Sequence, residues 1–275
     1  MQINPLLVET ELQKATNISI DSIFNSTFEA NAFLTSIIDL TTLEGSDNTE
    51  RIVQLCAKAK ELKAKYHTSV GAICVYPTMA SEVRNELGNE PTHIACVSGA
   101  FPSGQSPLDI RILETKFAIE NGANEIDMVI SRGKFLENDY EYVFNEVNAF
   151  RVACGLNIHL KVILETGELK GINNIYKASM IAMQAGADFI KTSTGKIPVG
   201  ATLESMAVML LAIKEFYAAT GKKIGIKPAG GISNIASAQE YIKLVYSILG
   251  KEWLTPELFR IGASRLADEL LTSEE

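Results

Sequence analysis

Short runs rich in valine, isoleucine and phenylalanine alternate along the chain with longer stretches whose apolar positions recur at helical spacing. That alternation predicts βα units and a parallel sheet. Eight such runs stand out: FLTSIIDL at 33–40, VGAICVY at 70–76, HIACVSG at 93–99, EIDMVI at 125–130, HLKVILET at 159–166, DFIKTST at 188–194, IGIKPA at 224–229 and LFRIGA at 258–263. Helix punctuation fills the intervals. Asp47 with Glu50 has the form of a capping box before RIVQLCAKAKEL, and Ser106, Pro107 and Asp109 open a helix that stops near Gly122. Gly155, Gly186, Gly221 and Gly250 stand where further helices should end. No Pro-, Gly- or Ser-rich linker divides the chain. One α/β domain is expected, a (β/α)8 TIM barrel over residues 33–275 with an N-terminal extension, residues 1–32, packed on it. An open, doubly wound sheet has the same periodicity and is the competing topology.

Two of the runs share a frame. GANEIDMVI begins at Gly122 and GADFIKTST at Gly186, so a common GAxxI pattern places Asp127 and Lys191 at equivalent points of two strands. In a barrel, both side chains would then aim at one centre. Polar residues near the strand C-termini are Asp39, Asp127, Lys161, Glu165, Lys191 and Lys227, at the end of the fold where barrel active sites form. A lysine stem can pack on apolar neighbours with its head reaching water, but three lysines on three strands call for an ion-pair network, with Asp39, Asp127 or Glu165 as partners. A reactive lysine must be neutral. Its ordinary pKa near 10.4 has to fall by about 3 units, which burial and a second ammonium can accomplish together. Lys227, on the strand next to that of Lys191, is the candidate neighbour. The chemistry this predicts is a Schiff-base lysine, a lysine that lowers its pKa, and a carboxylate that moves protons.

Glycines extend the prediction to the substrate. Gly230 and Gly231 follow the seventh run, and Gly262 precedes Ala263 and Ser264 at the eighth, where barrel loops commonly bind phosphate through bare backbone N–H groups. With Lys196 from STGK, an anionic phosphate site is expected. The chain's 275 residues carry a formal charge of −8, which argues against a general nucleic-acid or anionic-membrane binder but not against a local basic pocket. No run is long enough for a membrane span, and MQINPLLVETELQ lacks the basic start and apolar run of a signal peptide, so a cytoplasmic location is the expectation. Cys56, Cys74, Cys96 and Cys154 sit singly, which predicts reduced thiols. His67, His93 and His159 are scattered along the sequence, so no metal site is expected.

DLTTL at 39–43, EIDMVI, LKVILETGEL at 160–169, DFIKTSTGK and GIKPAGGI together resemble the deoxyribose-phosphate aldolase family, from about residue 33 to about residue 270. The resemblance implies reversible cleavage of 2-deoxy-D-ribose 5-phosphate to D-glyceraldehyde 3-phosphate and acetaldehyde, without metal or organic cofactor. It implies that Lys191 forms the imine, Lys227 tunes its amine, and Asp127 works with Lys227 and water in proton transfer. Asp39, Thr41, Cys74, Lys161 and Thr194 match the family's pocket, with Lys161 positioning Asp127. Gly195, Lys196, Gly230, Gly231, Ile232, Gly262 and Ser264 match its phosphate region. Two departures stand out. Ser233 follows GGI where the family commonly has arginine, and Arg265 follows GAS where it commonly has a small or hydroxyl residue, so the guanidinium is expected to have moved from one loop to the other; the alternative is that Arg265 faces solvent and phosphate binding is weakened. RLADELLTSEE also ends without the tail tyrosine of some members. The alternatives are another Schiff-base aldolase or transaldolase acting on a different sugar phosphate, and a non-catalytic barrel that binds one. A homodimer is a family expectation.

Overall fold

The computed structural model describes residues 2–273. Its eight strands are β1 (Ile38–Thr41), β2 (Ala72–Val75), β3 (His93–Ser98), β4 (Glu125–Val129), β5 (His159–Ile163), β6 (Phe189–Lys191), β7 (Gly225–Lys227) and β8 (Ile261–Ala263). All pairings are parallel and each strand lies beside its sequence neighbour, with β8 returning to β1. Bridges from Ile226 to Phe259 and from Ala229 to Gly262 join the β7 and β8 segments. The ring is therefore closed. A doubly wound sheet would reverse its strand order and leave two edges.

Eleven helices complete the described residues: α1 (Pro5–Thr16), α2 (Thr27–Ile37), α3 (Thr49–Tyr66), α4 (Ala80–Leu87), α5 (Leu108–Glu120), α6 (Arg132–Leu136), α7 (Tyr140–Cys154), α8 (Ile172–Gln184), α9 (Leu203–Thr220), α10 (Ile235–Leu249) and α11 (Leu266–Thr272). None is long and apolar enough to cross a membrane. Asn4 caps α1 with Pro5 at its first position, and the helix packs on α9 and α10. The strands are buried on both faces, so they read as near-continuous apolar runs broken only by inward-facing polar groups. All four cysteines are free and buried.

Two local expectations need correction. FLTSIIDL is a strand only from Ile38; residues 33–37 finish α2, whose cap is Ser26 and whose buried positions Ala30, Leu34 and Ile37 recur at helical spacing. Because α2 runs straight into β1 with no loop, no turn residue marks the change of period. The cap of α3 is Asn48, whose side chain accepts from Arg51 N, rather than the Asp47–Glu50 pair. Asp47 instead accepts from the Thr42 hydroxyl at 2.8 Å and from Glu44 N at 2.9 Å, bracing the β1–α3 loop.

The GAxxI frame is a real structural repeat. Gly122 and Gly186 both have φ +105°, a conformation that side chains rarely adopt. Asn124 accepts from Ile94 N at 2.7 Å and Asp188 accepts from Leu160 N at 2.9 Å, so each frame ties its strand to the one before it in the same way. Equal anchoring gives equal pleat. Asp127 and Lys191 consequently both point into the barrel.

Candidate active site

Strand register brings the chemistry together. Asp127 lies beside Lys161 across β4 and β5, and Lys191 beside Lys227 across β6 and β7. Asp127 is the hub: it accepts from Lys161 at 2.8 Å through Oδ1, and from Lys191 at 2.8 Å and Lys227 at 2.7 Å through Oδ2. Lys227 also pairs with Asp39, which in turn accepts from Arg260 at 2.8 Å. These groups are buried, and Lys191, 3% exposed, lies at the floor of an open cavity.

The four ionisable groups nearest the chemistry divide by environment. Burial opposes charge on Asp127, but Lys161, Lys191 and Lys227 outweigh it and hold the carboxyl well below its usual range. Burial likewise opposes charge on Lys227, yet Asp127 and Asp39 raise it above an ordinary lysine. Lys161 is raised by its carboxylate neighbours in the same manner. Lys191 goes the other way: burial lowers it, Asp127 only partly restores it, and the Lys227 ammonium lowers it further. One amine of three is thus inclined to be neutral. Cys74, buried on β2 beside this group, has its thiol pushed up by burial and stays protonated.

Above Lys191 opens a cavity of about 250 Å³. Thr41, Thr194, Gly195, Lys196, Gly230, Gly231, Ile232, Gly262, Ser264 and Arg265 line it. Gly230, at φ +83°, is pressed so close to Gly200 that a Cβ on Gly200 would meet the Gly230 carbonyl oxygen at 2.4 Å. This is a close backbone approach that only glycine permits. Ser233 is not part of the lining, whereas Arg265 is. Lys196 reaches Glu44 at 2.8 Å across the mouth.

Several features differ from expectation. Glu165 does not pair with the strand lysines; it accepts from the Thr194 hydroxyl at 2.5 Å and pairs with Arg132 at 3.2 Å. Its backbone sits at φ +55°, which turns the side chain toward the β6 loop and away from the barrel centre. Arg51, from the first turn of α3, joins the cavity lining although nothing in its sequence context marks it. Glu125 and Arg260 are buried and charged, and both were legible by period two, Glu125 two residues before Asp127 and Arg260 two before Gly262. The histidines also gather in space. His93 and His159 flank Glu125 with Nδ1 to Oε1 distances of 2.6 and 3.7 Å, a set of donors close enough to hold a metal ion. Glu125 already faces Lys161 and Arg260, and those cations oppose a divalent ion there.

Residues 33–246 match the DeoC/LacD family aldolase model. This chain belongs to the DeoC/LacD aldolase family. A Homo sapiens deoxyribose-phosphate aldolase is 48% identical over 247 residues, spanning 86% of this chain and 77% of that protein. The Bos taurus deoxyribose-phosphate aldolase is 46% identical, spanning 85% and 77%. A crystal structure from Toxoplasma gondii ME49 superposes with a TM-score of 0.79 at 25% identity, covering 88% of this chain and 93% of that one. The tetrameric deoxyribose phosphate aldolase of Aeropyrum pernix shares the fold, with a TM-score of 0.73 at 23% identity over 96% of each chain. The DeoC/LacD fold places its strand C-termini, and so the Lys191 cavity, on the face where barrel enzymes act.

Proposed function

We propose that this aldolase reversibly cleaves 2-deoxy-D-ribose 5-phosphate to D-glyceraldehyde 3-phosphate and acetaldehyde through a Schiff base on Lys191. The observation that carries the reading is Lys191 itself, a buried amine lowered toward neutrality beside Asp127 and Lys227. The names of the relatives support the substrate. In cleavage, the neutral Lys191 amine attacks the C1 aldehyde of the open-chain sugar and water leaves, giving an iminium. Loss of the C3 hydroxyl proton then lets the C2–C3 bond break. Its electron pair passes into the iminium as an enamine, and the C3–C5 fragment leaves as glyceraldehyde 3-phosphate. Protonation of the enamine at C2 and hydrolysis release acetaldehyde and free Lys191. Asp127, with water, moves these protons, and Lys227 stays charged to keep Lys191 neutral. Lys161 and Asp39 hold Asp127 and Lys227 in place; Thr41, Cys74 and Thr194 shape the pocket.

The phosphate sits, in this reading, over the backbone of Gly195, Gly230, Gly231 and Ile232, with Gly262 and Ser264 opposite. Arg51, Lys196 and Arg265 supply positive charge. Arg265 takes over the role that an arginine at Ser233 would have had, and Arg51 adds to it. Truncating either arginine to alanine should raise KM about tenfold with kcat little changed, the loss of one charge-assisted contact. An unchanged KM in Arg265→Ala would refute the relocation. A cytoplasmic, self-associating protein is part of the same reading, with exposed Ile110, Leu113 and Phe117 on α5 as apolar surface available to a second copy.

Borohydride trapping tests the central claim. With acetaldehyde, the adduct should map to Lys191, and its formation should already be fast well below the pH at which an ordinary lysine deprotonates. An adduct on Lys227 alone, or an apparent pKa near 10, overturns the assignment.

A further inference from the structure

Inside the barrel, buried charges of opposite sign form one connected cluster, and they do not balance. Asp39, Glu125 and Asp127 are the carboxylates; Lys161, Lys191, Lys227 and Arg260 are the cations. Cations outnumber carboxylates by one. The contacts are also unequal. Lys161 meets Asp127 at 2.8 Å, Asp39 at 3.5 Å, and Glu125. Lys227 meets Asp39 and Asp127, and Arg260 meets Asp39 at 2.8 Å and Glu125 at 3.0 Å. Lys191 touches Asp127 alone, through the oxygen that Lys227 also uses. An arginine does not give up its proton in a protein, so the surplus has to be relieved at a lysine. Lys191, with the fewest partners, is where its removal disturbs least.

We propose that Arg260 and Glu125, which do not line the substrate cavity, are positioning residues for the reaction: a charge pair deep in the barrel that fixes the balance in which Lys191 is the cation without a carboxylate of its own. This rests on the reading of Lys191 as the imine-forming amine. The chain of contact runs from Arg260 and Glu125 to Lys161, from Lys161 to Asp127, and from Asp127 to Lys191. With Lys191 neutral, the carboxylates and the remaining cations match. Taking away the Arg260 charge moves the balanced state to protonated Lys191, and taking away the Glu125 charge adds a second surplus cation. The two substitutions therefore act on the same amine with opposite sign. The other titratable groups near the cluster are the thiols of Cys74 on β2 and Cys96 on β3, both pushed up by burial, and the histidines of β3 and β5, His93 and His159, which border Glu125.

The experiment follows the rate of reductive trapping of acetaldehyde on Lys191 against pH, read by mass spectrometry, in the wild type and three variants. Arg260→Met should move the apparent pKa up by about one pH unit and Glu125→Gln should move it down by about as much, the low end of what a buried charge does, because both act on Lys191 through intervening ion pairs. Arg260→Lys, which keeps the charge, should restore the wild-type profile. The same profiles in a His93→Gln/His159→Gln background separate histidine titration from that of Lys191. Shifts of equal sign, or none, in a protein that still traps on Lys191 overturn the inference and leave the proposed function standing. Absence of any Lys191 adduct in the wild type overturns the proposed function instead. If Arg260→Met does not fold, the downward shift in Glu125→Gln decides alone, because loss of packing lowers the amplitude of trapping and not its pKa.

Discussion

Lys191→Met should abolish aldol cleavage, lowering kcat by about four orders of magnitude or more, while the protein stays folded. The activity loss follows from chemistry: without the amine there is no iminium to receive the electron pair of the breaking C–C bond, and Lys227 cannot substitute. That lysine is bound to Asp39 and Asp127 and is raised above an ordinary lysine, so it holds its proton firmly. Retention of fold follows from charge. Methionine fills much of the lysine stem's volume, and its neutrality leaves Asp39, Glu125 and Asp127 matched by Lys161, Lys227 and Arg260. The thermal midpoint should therefore stay close to wild type, unlike most replacements that break a buried ion pair. A coupled assay of glyceraldehyde 3-phosphate release together with a circular dichroism melt checks both halves. Residual turnover within a hundredfold of wild type would show that another amine does the work.

The barrel was legible because closure depends on repetition. Eight apolar runs, five of them followed by a glycine helix stop, leave few parallel topologies, and the sequential strand order is the simplest of them. The GAxxI frame carried geometric information because both glycines adopt the same positive φ and both following polar side chains tie back to the preceding strand. What stayed hidden depends on distance in space rather than spacing in sequence. Arg51 reaches the cavity only because Asp47 braces the β1–α3 loop and Asn48 starts the helix there. Glu165 looked like a lysine partner, but a left-handed backbone conformation, invisible in a residue that is not glycine, turns it to Thr194. His93 and His159 are distant in sequence and meet only because β3 and β5 flank β4.

Cavity and charge cluster divide the work by depth. The upper level, where glycine loops and Arg51, Lys196 and Arg265 meet solvent, offers contacts suited to holding an anion. The lower level, beneath Lys191, is buried and does not line the cavity. Its ion pairs are costly to bury, and packed hydrophobic residues would stabilise a barrel floor at least as well. Under the proposed inference, their presence is accounted for by what they do to Lys191 rather than by stability. The low dielectric that makes them costly also lets charges set one another's protonation at a distance.

Asp127→Asn should be the most destabilising single change at the centre, costing about 3–5 kcal/mol at pH 7 and lowering the melting temperature on the order of 10 °C. Asp127 accepts from three lysine amino groups, those of Lys161 and Lys227 held charged, and an amide of the same shape can neither carry the charge nor accept with both ends. The penalty has a pH signature. The folded carboxyl lies well below its unfolded value, since the three lysines outweigh the burial that opposes its charge. Its contribution to stability is therefore fully present above the unfolded pKa of about 4, and is lost as pH falls through the folded pKa. Wild type and variant should differ most near neutrality and converge in strong acid, where wild-type Asp127 takes up its proton. Activity should fall with stability, because the proton carrier is gone and Lys161, Lys191 and Lys227 lose the oxygens that order them. Urea unfolding at a series of pH values measures the difference directly, and a gap that stays constant into acid would mean that Asp127 is not the ionised hub of the cluster.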